Sequence, residues 1–177
     1  VKRQLVKGGL LIAEINKATL RNIMTNPEEK IEQLGLILPD PKPAVANYLP
    51  FTQTGKLLFI SGQGPVSAAG DAIKGRLGET IEIEDGQRAA QLAALNILAQ
   101  VKSALNGDWS RFGRCLRLCG FVNSTPDFTH QPAIINGASD LMVDLFGDAG
   151  RHSRSAVGVA SLPMGWAVEI DAIFEIN

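Results

Sequence analysis

Two short runs decide the fold: RSAVGVASLP at residues 154–163 and VEIDA at residues 168–172. The first mixes small and β-branched residues and stops at a proline, while the second alternates acidic and apolar residues, as strands do. We therefore predict two adjacent antiparallel strands joined by a short turn at residues 163–166. In the second strand Glu169 and Asp171 share one face, and the other face is apolar, with Val168, Ile170, Ala172 and Phe174.

The residues before these runs predict a short helix, three strands and two longer helices. The expected elements are a helix at 28–36 capped by Thr25 or Asn26, an extended segment at 48–51, strands at 56–61 and 114–123, and helices at 85–105 and 132–146, with an irregular loop at 66–80 that holds a short strand near Ile73. The order β-β-(β)-α-β-α-β-β indicates an α+β domain, in which two helices cover one face of a mixed or antiparallel sheet.

The uncovered sheet face is predicted to be half apolar. The strand at 114–123 places Leu116, Leu118 and Val122 on one side. The other side joins Glu169 and Asp171, and it carries Cys115, Arg117, Cys119 and Phe121. Because such a face commonly packs against a partner, we expect a homo-oligomer.

Composition indicates an ordinary globular protein rather than a nucleic-acid or membrane protein. The 177 residues are 45% hydrophobic and 20% charged, with a formal net charge of −1. A net charge this close to zero does not indicate binding to nucleic acid or to an anionic membrane. Cys115 and Cys119 lie about 13 Å apart along one predicted strand, too far to pair, which favours free thiols in a reducing cytoplasm.

The chain is interpreted as one domain at residues 24–177 preceded by a basic extension at residues 1–23. The apolar run at 8–13 is too short for a membrane span or signal peptide. The extension either lies upstream of the true start or forms an extra helix on the domain.

Arg154 and Glu169 are the strongest candidate site residues. An arginine followed by small residues leaves room for a ligand and can hold a carboxylate through two parallel hydrogen bonds. A partly buried glutamate can position and deprotonate a water. The sequence SGQGP at 61–65 offers backbone donors, but it lacks the lysine and following helix of a phosphate-binding loop. His152 should lie on the same strand face as Arg154, and two histidines in all argue against a zinc enzyme.

The chain resembles the RidA (YjgF) family of enamine/imine deaminases, also called endoribonuclease L-PSP. The resemblance runs from about residue 48 to 176 and rests on four motifs: LFISGQGP at 58–65, NSTPDF at 123–128, RSAVGVASLP at 154–163 and VEIDAI at 168–173. It implies a chorismate-mutase-like fold and a homotrimer, with three sheets in a central barrel, helices outside and ligand clefts between subunits.

The resemblance also implies roles for individual residues. Arg154 matches the arginine that binds the substrate carboxylate, and Glu169 the glutamate that positions the hydrolytic water. Tyr48 and the backbone at Gly62 match pocket positions. Ala156 stands where family members commonly have cysteine, and Gly64 replaces a bulky aliphatic residue, which would open the pocket.

The predicted function is hydrolysis of 2-imino acids, or their enamine tautomers, to 2-keto acids and ammonia, without metal or organic cofactor. The alternative is a non-catalytic trimer that binds small carboxylates as a sensor or regulator. Near-neutral charge argues against a ribonuclease. A pericyclic mutase would need more cations around a dianion than Arg154 with Arg117 or Arg151.

Overall fold

The computed structural model describes residues 26–44 and 46–177, and the basic extension at 1–23 lies outside them. Within these described residues, three helices and five strands follow one another as α1 (Pro27–Gln33), β1 (Phe51–Thr54), β2 (Leu57–Gln63), α2 (Ile83–Ala104), β3 (Phe112–Asn123), α3 (Gln131–Phe146), β4 (Ser153–Val159) and β5 (Val168–Ile176). The strands form one sheet in the order β1-β2-β5-β3-β4. This α+β arrangement confirms the predicted fold class. None of the helices in the described residues has the length and hydropathy of a transmembrane segment.

The predicted hairpin between the two decisive runs is wrong. β5 pairs antiparallel with β2 and β3, whereas β4 pairs parallel with β3 at the sheet edge. Alternation identifies a strand but not its neighbour, and residues 160–167 are long enough to carry the chain past β3. β5 alternates fully buried and half-buried residues along its whole length, which suits a central strand rather than an edge.

Helices α2 and α3 cover one face of the sheet and enclose the core. The inner face of α2 is rich in alanine, which lets α3 approach closely. At the crossing, Gly137 of α3 lies directly against the backbone carbonyl of Gln87, so no side chain fits there. From β5 the residues Val168, Ile170, Ala172 and Phe174 enter this core, as the alternation predicted, and Glu169 and Asp171 lie on the other face.

Cys115 does not lie on the uncovered face, contrary to prediction. It is buried in the core, because the pairing of β3 with β5 shifts register between Cys115 and Arg117. A bulge of this kind reverses the alternation on one side of it, which no period-two reading anticipates. Cys119 is half-buried on the uncovered face, and both thiols are free. Burial raises the pKa of Cys115 to about 12, so this thiol is chemically inert.

Helix α1 is capped and anchored by polar contacts. The side chain of Asn26 accepts a hydrogen bond from the backbone N–H of Glu28 at 3.1 Å, which confirms Asn26 as the cap. The Glu28 carboxylate accepts hydrogen bonds from Lys102 at 2.7 Å and from the indole of Trp109 at 2.9 Å. These contacts fix α1 to the end of α2.

Candidate functional site

The predicted site residues lie in two separate clusters of the single chain. The arginine cluster is Arg154 and Ala156 on β4 with the residues that contact Arg154. The glutamate cluster is Glu169 on β5 with Gly62 of β2 and the nearby Tyr48. β5 and β4 are separated by β3, so about 10 Å of sheet lies between the two clusters.

Arg154 projects toward helix α3. It pairs in register with Leu118 of β3, which is buried beneath the helices, so the two residues share that face. Its Nη1 atom donates to Asn136 Oδ1 at 2.8 Å and to Ser139 Oγ at 3.0 Å. Both hydrogens of Nη1 are thereby used, while Nε and Nη2 stay available to a ligand. The side chain is exposed at the sheet edge.

His152 supports the same cluster from the same face of the strand, as the sequence predicted. Its Nδ1 lies 2.6 Å from the carbonyl of Gly150, and its Nε2 lies 3.0 Å from Ser139 Oγ. Because a carbonyl only accepts, Nδ1 carries the proton and the neutral ring accepts from Ser139 through Nε2. Burial lowers the pKa of His152, with the nearby Arg154 charge acting in the same direction, which favours this neutral form.

The sequence motifs did not assign Asn136 or Ser139 to the site. They are three residues apart on α3 and therefore occupy one side of the helix. The sequence feature that could have indicated their role is this pair of polar residues in a helix otherwise rich in apolar residues. Their meeting with Arg154 depends on how α3 packs over β4, and local sequence does not encode that packing.

Glu169 lies against Gly62. A β-carbon at Gly62 would collide with the Glu169 carboxylate, so glycine is what allows the carboxylate to sit over β2. Burial raises the pKa of Glu169, and the neighbouring carboxylate of Asp171 raises it further. A carboxyl group whose pKa moves toward neutrality is suited to exchange protons with a bound water.

Tyr48 belongs to a segment held against β2. Ser61 donates its backbone N–H to the carbonyl of Pro50 at 3.0 Å and its hydroxyl to the carbonyl of Leu49 at 2.7 Å. These bonds place Tyr48 beside Gly62, and both residues line a cavity of about 370 Å³. The structure thus brings Tyr48, Gly62 and Glu169 together and leaves Arg154 and Ala156 on the far edge.

Gly64 does not simply open the pocket, contrary to expectation. A β-carbon at Gly64 would lie 2.5 Å from the indole of Trp166, so the aromatic ring takes the space of the missing side chain. Trp166 follows Met164, whose backbone adopts the left-handed conformation at φ 56°, in the connection to β5. Within the part of the chain that the structure describes, no group of three or more His, Cys, Asp or Glu side chains is placed to hold a metal ion.

Comparison with known proteins places the chain in a family. The family described as "YjgF/chorismate mutase-like, putative endoribonuclease" matches residues 28–171. The chain belongs to the YjgF/RidA family. A curated relative, protein TCP17 of Trypanosoma cruzi, is 44% identical over 148 residues, covering 83% of this chain and 92% of the relative. The resemblance drawn from the sequence motifs is therefore confirmed.

Solved structures of the YjgF/RidA family share the fold. The protein Atu1372 of Agrobacterium tumefaciens, described as of unknown function, is 48% identical with a TM-score of 0.81, covering 88% of this chain and 97% of that protein. TdcF of E. coli, solved with bound serine, is 26% identical with a TM-score of 0.53, covering 79% of this chain and 95% of TdcF. The chain therefore has the chorismate-mutase-like fold of the family, one of whose members binds a small amino acid.

Proposed function

We propose that the protein hydrolyses 2-imino acids, or their enamine tautomers, to 2-keto acids and ammonia. The reaction takes place in a cleft between two copies of the chain, in a homotrimer. One copy supplies the arginine cluster and the next supplies the glutamate cluster. TdcF, which holds serine, supports a ligand with a carboxylate beside a nitrogen-bearing carbon.

The orientation of the two clusters carries this proposal. Arg154 projects on the helix-covered side of β4, whereas Glu169 projects on the uncovered face of the sheet. One chain therefore cannot place both groups on one small molecule. A second copy that packs on the uncovered face can bring its own sheet edge, with Arg154, to Glu169. Exposed apolar side chains, including Phe59 and Val157, support such packing.

Arg154 is prepared to bind a carboxylate. Asn136 and Ser139 hold its Nη1 atom, which fixes the plane of the guanidinium group. The remaining Nε and Nη2 edge can donate two parallel hydrogen bonds to the two oxygens of a carboxylate. Such a pair of hydrogen bonds fixes the orientation of the neighbouring C=N carbon relative to the attacking water.

Glu169 is proposed to handle the protons of the reaction. The carboxylate takes a proton from water as the oxygen attacks the imine carbon and forms a carbinolamine. The resulting carboxylic acid returns that proton to the nitrogen. Glu169 then carries the hydroxyl proton of the carbinolamine to the nitrogen, so that the C–N bond breaks, ammonia leaves and the carbonyl forms. General acid–base catalysis of this kind contributes about 10²–10⁴-fold, which is sufficient because imines already hydrolyse in water.

The experiment generates imino acids in situ with an amino-acid oxidase or dehydratase and traps the remaining imine with semicarbazide. Arg154→Ala is expected to raise KM, because the carboxylate clamp is lost. Glu169→Gln is expected to lower kcat by about 10²-fold or more. Arg151→Ala is the matched control, because Arg151 is an exposed arginine on the same segment that pairs with Asp148. An unchanged rate for Arg154→Ala and Glu169→Gln would contradict the proposal.

Binding without turnover would instead identify a carboxylate-binding regulator. The bound serine of TdcF makes this the second candidate, because serine carries the carboxylate but no imine. In that case Arg154→Ala abolishes binding of a 2-keto acid, whereas Glu169→Gln leaves it unchanged. An RNA substrate in the same series tests the ribonuclease activity in the family description.

A further inference from the structure

We infer that the 370 Å³ cavity beside the glutamate cluster binds the substrate's side chain and selects 2-imino acids with a large apolar side chain. This inference rests on the proposed function, because it assigns the cavity to the same ligand whose carboxylate Arg154 holds. It adds the substrate class, which neither the family match nor the relatives specify.

The cavity is continuous with the glutamate cluster. Tyr48 and Gly62 line it, and Gly62 also touches the carboxylate of Glu169. Glu169 does not itself line the cavity, and Gly62 is the residue that links its carboxylate to the cavity wall. A volume of about 370 Å³ lies within the range of small-molecule sites, roughly 300–1,000 Å³. A methyl group would leave most of this space unfilled.

The cavity is preformed, because hydrogen bonds hold its walls in place. Two buried amide side chains of α2 fasten them to the core. Asn96 Nδ2 donates to the carbonyl of Val66 at 2.7 Å and contacts that of Gly64 at 3.3 Å. Gln100 Nε2 donates to the carbonyl of Lys42 at 2.8 Å. Satisfied buried hydrogen bonds of this kind rigidify a structure, so both lining segments are fastened to α2 by its own side chains.

The lining is mainly apolar and aromatic. Its apolar and aromatic side chains include those of Pro43, Ala44, Tyr48, Val66, Met164 and Trp166. Trp166 forms a flat wall because its indole lies on Gly64. An apolar occupant gains from burial here, and each added methylene is expected to tighten binding about fourfold. A planar ring gains further by stacking on the indole.

Two lysines provide the rival interpretation. Lys42 and Lys74 also line the cavity, and both are exposed residues. Neither forms an ion pair within the described residues 26–44 and 46–177. If their ammonium groups faced a bound ligand, an acidic side chain would be preferred. We place the ammonium groups in solvent and the alkyl stems against the cavity, as is usual for lysines at an apolar rim.

Stable 2-keto acids are the probes for the binding test. Titration of the full chain with pyruvate, 4-methyl-2-oxopentanoate, phenylpyruvate and 2-oxoglutarate is followed by calorimetry and by the fluorescence of Trp166. Trp109, the other tryptophan, packs against Phe112 and Phe146 elsewhere in the core. We expect 4-methyl-2-oxopentanoate and phenylpyruvate to bind at least tenfold more tightly than pyruvate. Tightest binding of 2-oxoglutarate, equal binding of all four, or no binding at all would overturn the inference.

Filling the cavity supplies the matched variants. Ala72→Phe and Ala44→Phe add a ring from two different segments of the lining, and Ala69→Phe adds the same ring at an exposed position outside it. Both filling variants should bring the affinity ratio between phenylpyruvate and pyruvate below threefold, while Ala69→Phe keeps it. An unchanged ratio in both filling variants would overturn the inference.

Turnover separates this inference from the proposed function. If the binding preference follows the cavity but no imino acid is hydrolysed, the hydrolase proposal fails and the cavity assignment stands. If imino acids of alanine and of leucine are hydrolysed with equal kcat/KM, the hydrolase proposal stands and the cavity assignment fails. Ala69→Phe, outside the cavity, should leave hydrolysis of both imines within threefold of the unmodified chain.

Discussion

At the scale of single residues, Glu169, the proposed catalytic group, also lowers the stability of the fold at neutral pH. Its carboxyl group is half-buried on the uncovered face and lies near the carboxyl of Asp171. Burial and this neighbour raise the pKa of Glu169, so the folded chain holds a proton that the unfolded chain releases. Stability from this group is therefore present at low pH and lost as the pH rises through the folded-state pKa.

Replacing Glu169 by Gln should stabilise the protein at neutral pH while it removes the proposed catalytic group. We expect Tm to rise by roughly 2 °C at pH 7 and to change little at pH 4, where the carboxyl is already largely protonated in the fold. Thermal denaturation at the two pH values measures the difference. Glu175→Gln, on the same face of β5, is the control. An equal rise at both pH values would contradict this account.

Part of the site was predictable at residue scale because strand alternation is local. Glu169 and Arg154 stand out as polar residues in regular strands, and the period of two places each on a face. The contacts of Arg154 with Asn136 and Ser139 were not predictable, because they depend on packing between α3 and β4. The contact of Trp166 with Gly64 was likewise not predictable, because the two residues are about a hundred positions apart in the chain.

At the scale of elements, the ion pair between Glu28 and Lys102 contributes to the attachment of α1, beside the burial of Ile31 in the core. Burial of Glu28 would raise its pKa, but hydrogen bonds from Lys102 and Trp109 outweigh this and lower it. A lowered folded-state pKa contributes stability above the unfolded-state value near 4.5, and this stability is lost as the pH falls through the folded-state pKa. Attachment of α1 should thus weaken in acid.

Replacing Glu28 by Ala should destabilise the chain by about 1–2 kcal/mol at pH 7, because both hydrogen bonds to the carboxylate are lost. The loss should be smaller at pH 2, because protonation of the unmodified carboxyl in acid weakens its pairing with Lys102. Denaturant titration at both pH values measures it. Glu29→Ala, the exposed neighbour, is expected to change stability by less than about 0.5 kcal/mol. An equal loss in acid would show that α1 is held by packing alone.

Elements with a long period were predicted well, whereas their pairing was not. The expected helix at 85–105 is observed as Ile83–Ala104, because its apolar repeat extends over six turns and ends before Gly107, whose φ is positive. The neighbours of β4 and β5 were predicted wrongly. Short connections usually form hairpins, whereas the connection between β4 and β5 crosses the end of β3. The bulge after Cys115 was not predicted either, because a regular alternation of residues contains no sign of an extra residue in the strand.

At the scale of the whole molecule, the proposed cleft makes two defective chains complementary. Arg154→Ala and Glu169→Gln each spoil one side of the cleft, and the two sides come from different copies. Co-expressed in equal amounts, the two variants should form mixed trimers in which about a quarter of the clefts carry both intact groups. The activity should recover to about a quarter of that of the unmodified protein.

Separate preparations of each variant, mixed just before the assay, are the control, since mixed clefts would form there only after the proposed trimers exchange subunits. No recovery after co-expression, with the mixed assembly verified by mass spectrometry, would place both groups of each site in one chain. The α+β class and the family were predictable at this scale from element order and motifs. The copy that completes each cleft was not, because contacts between chains leave little trace in one sequence beyond a half-apolar face.

The place of β5 in the sheet has a consequence for how the chain is made. β5 is synthesised after β2 and β3, yet it lies between them. Until the ribosome has released residues 168–176, β2 and β3 each present an unpaired edge. The apolar core residues that β5 covers in the finished fold then stay exposed to water. Unpaired edges of this kind template aggregation. The emerging chain thus passes through an interval with two unpaired strand edges, and a delay in translation before β5 would lengthen that interval.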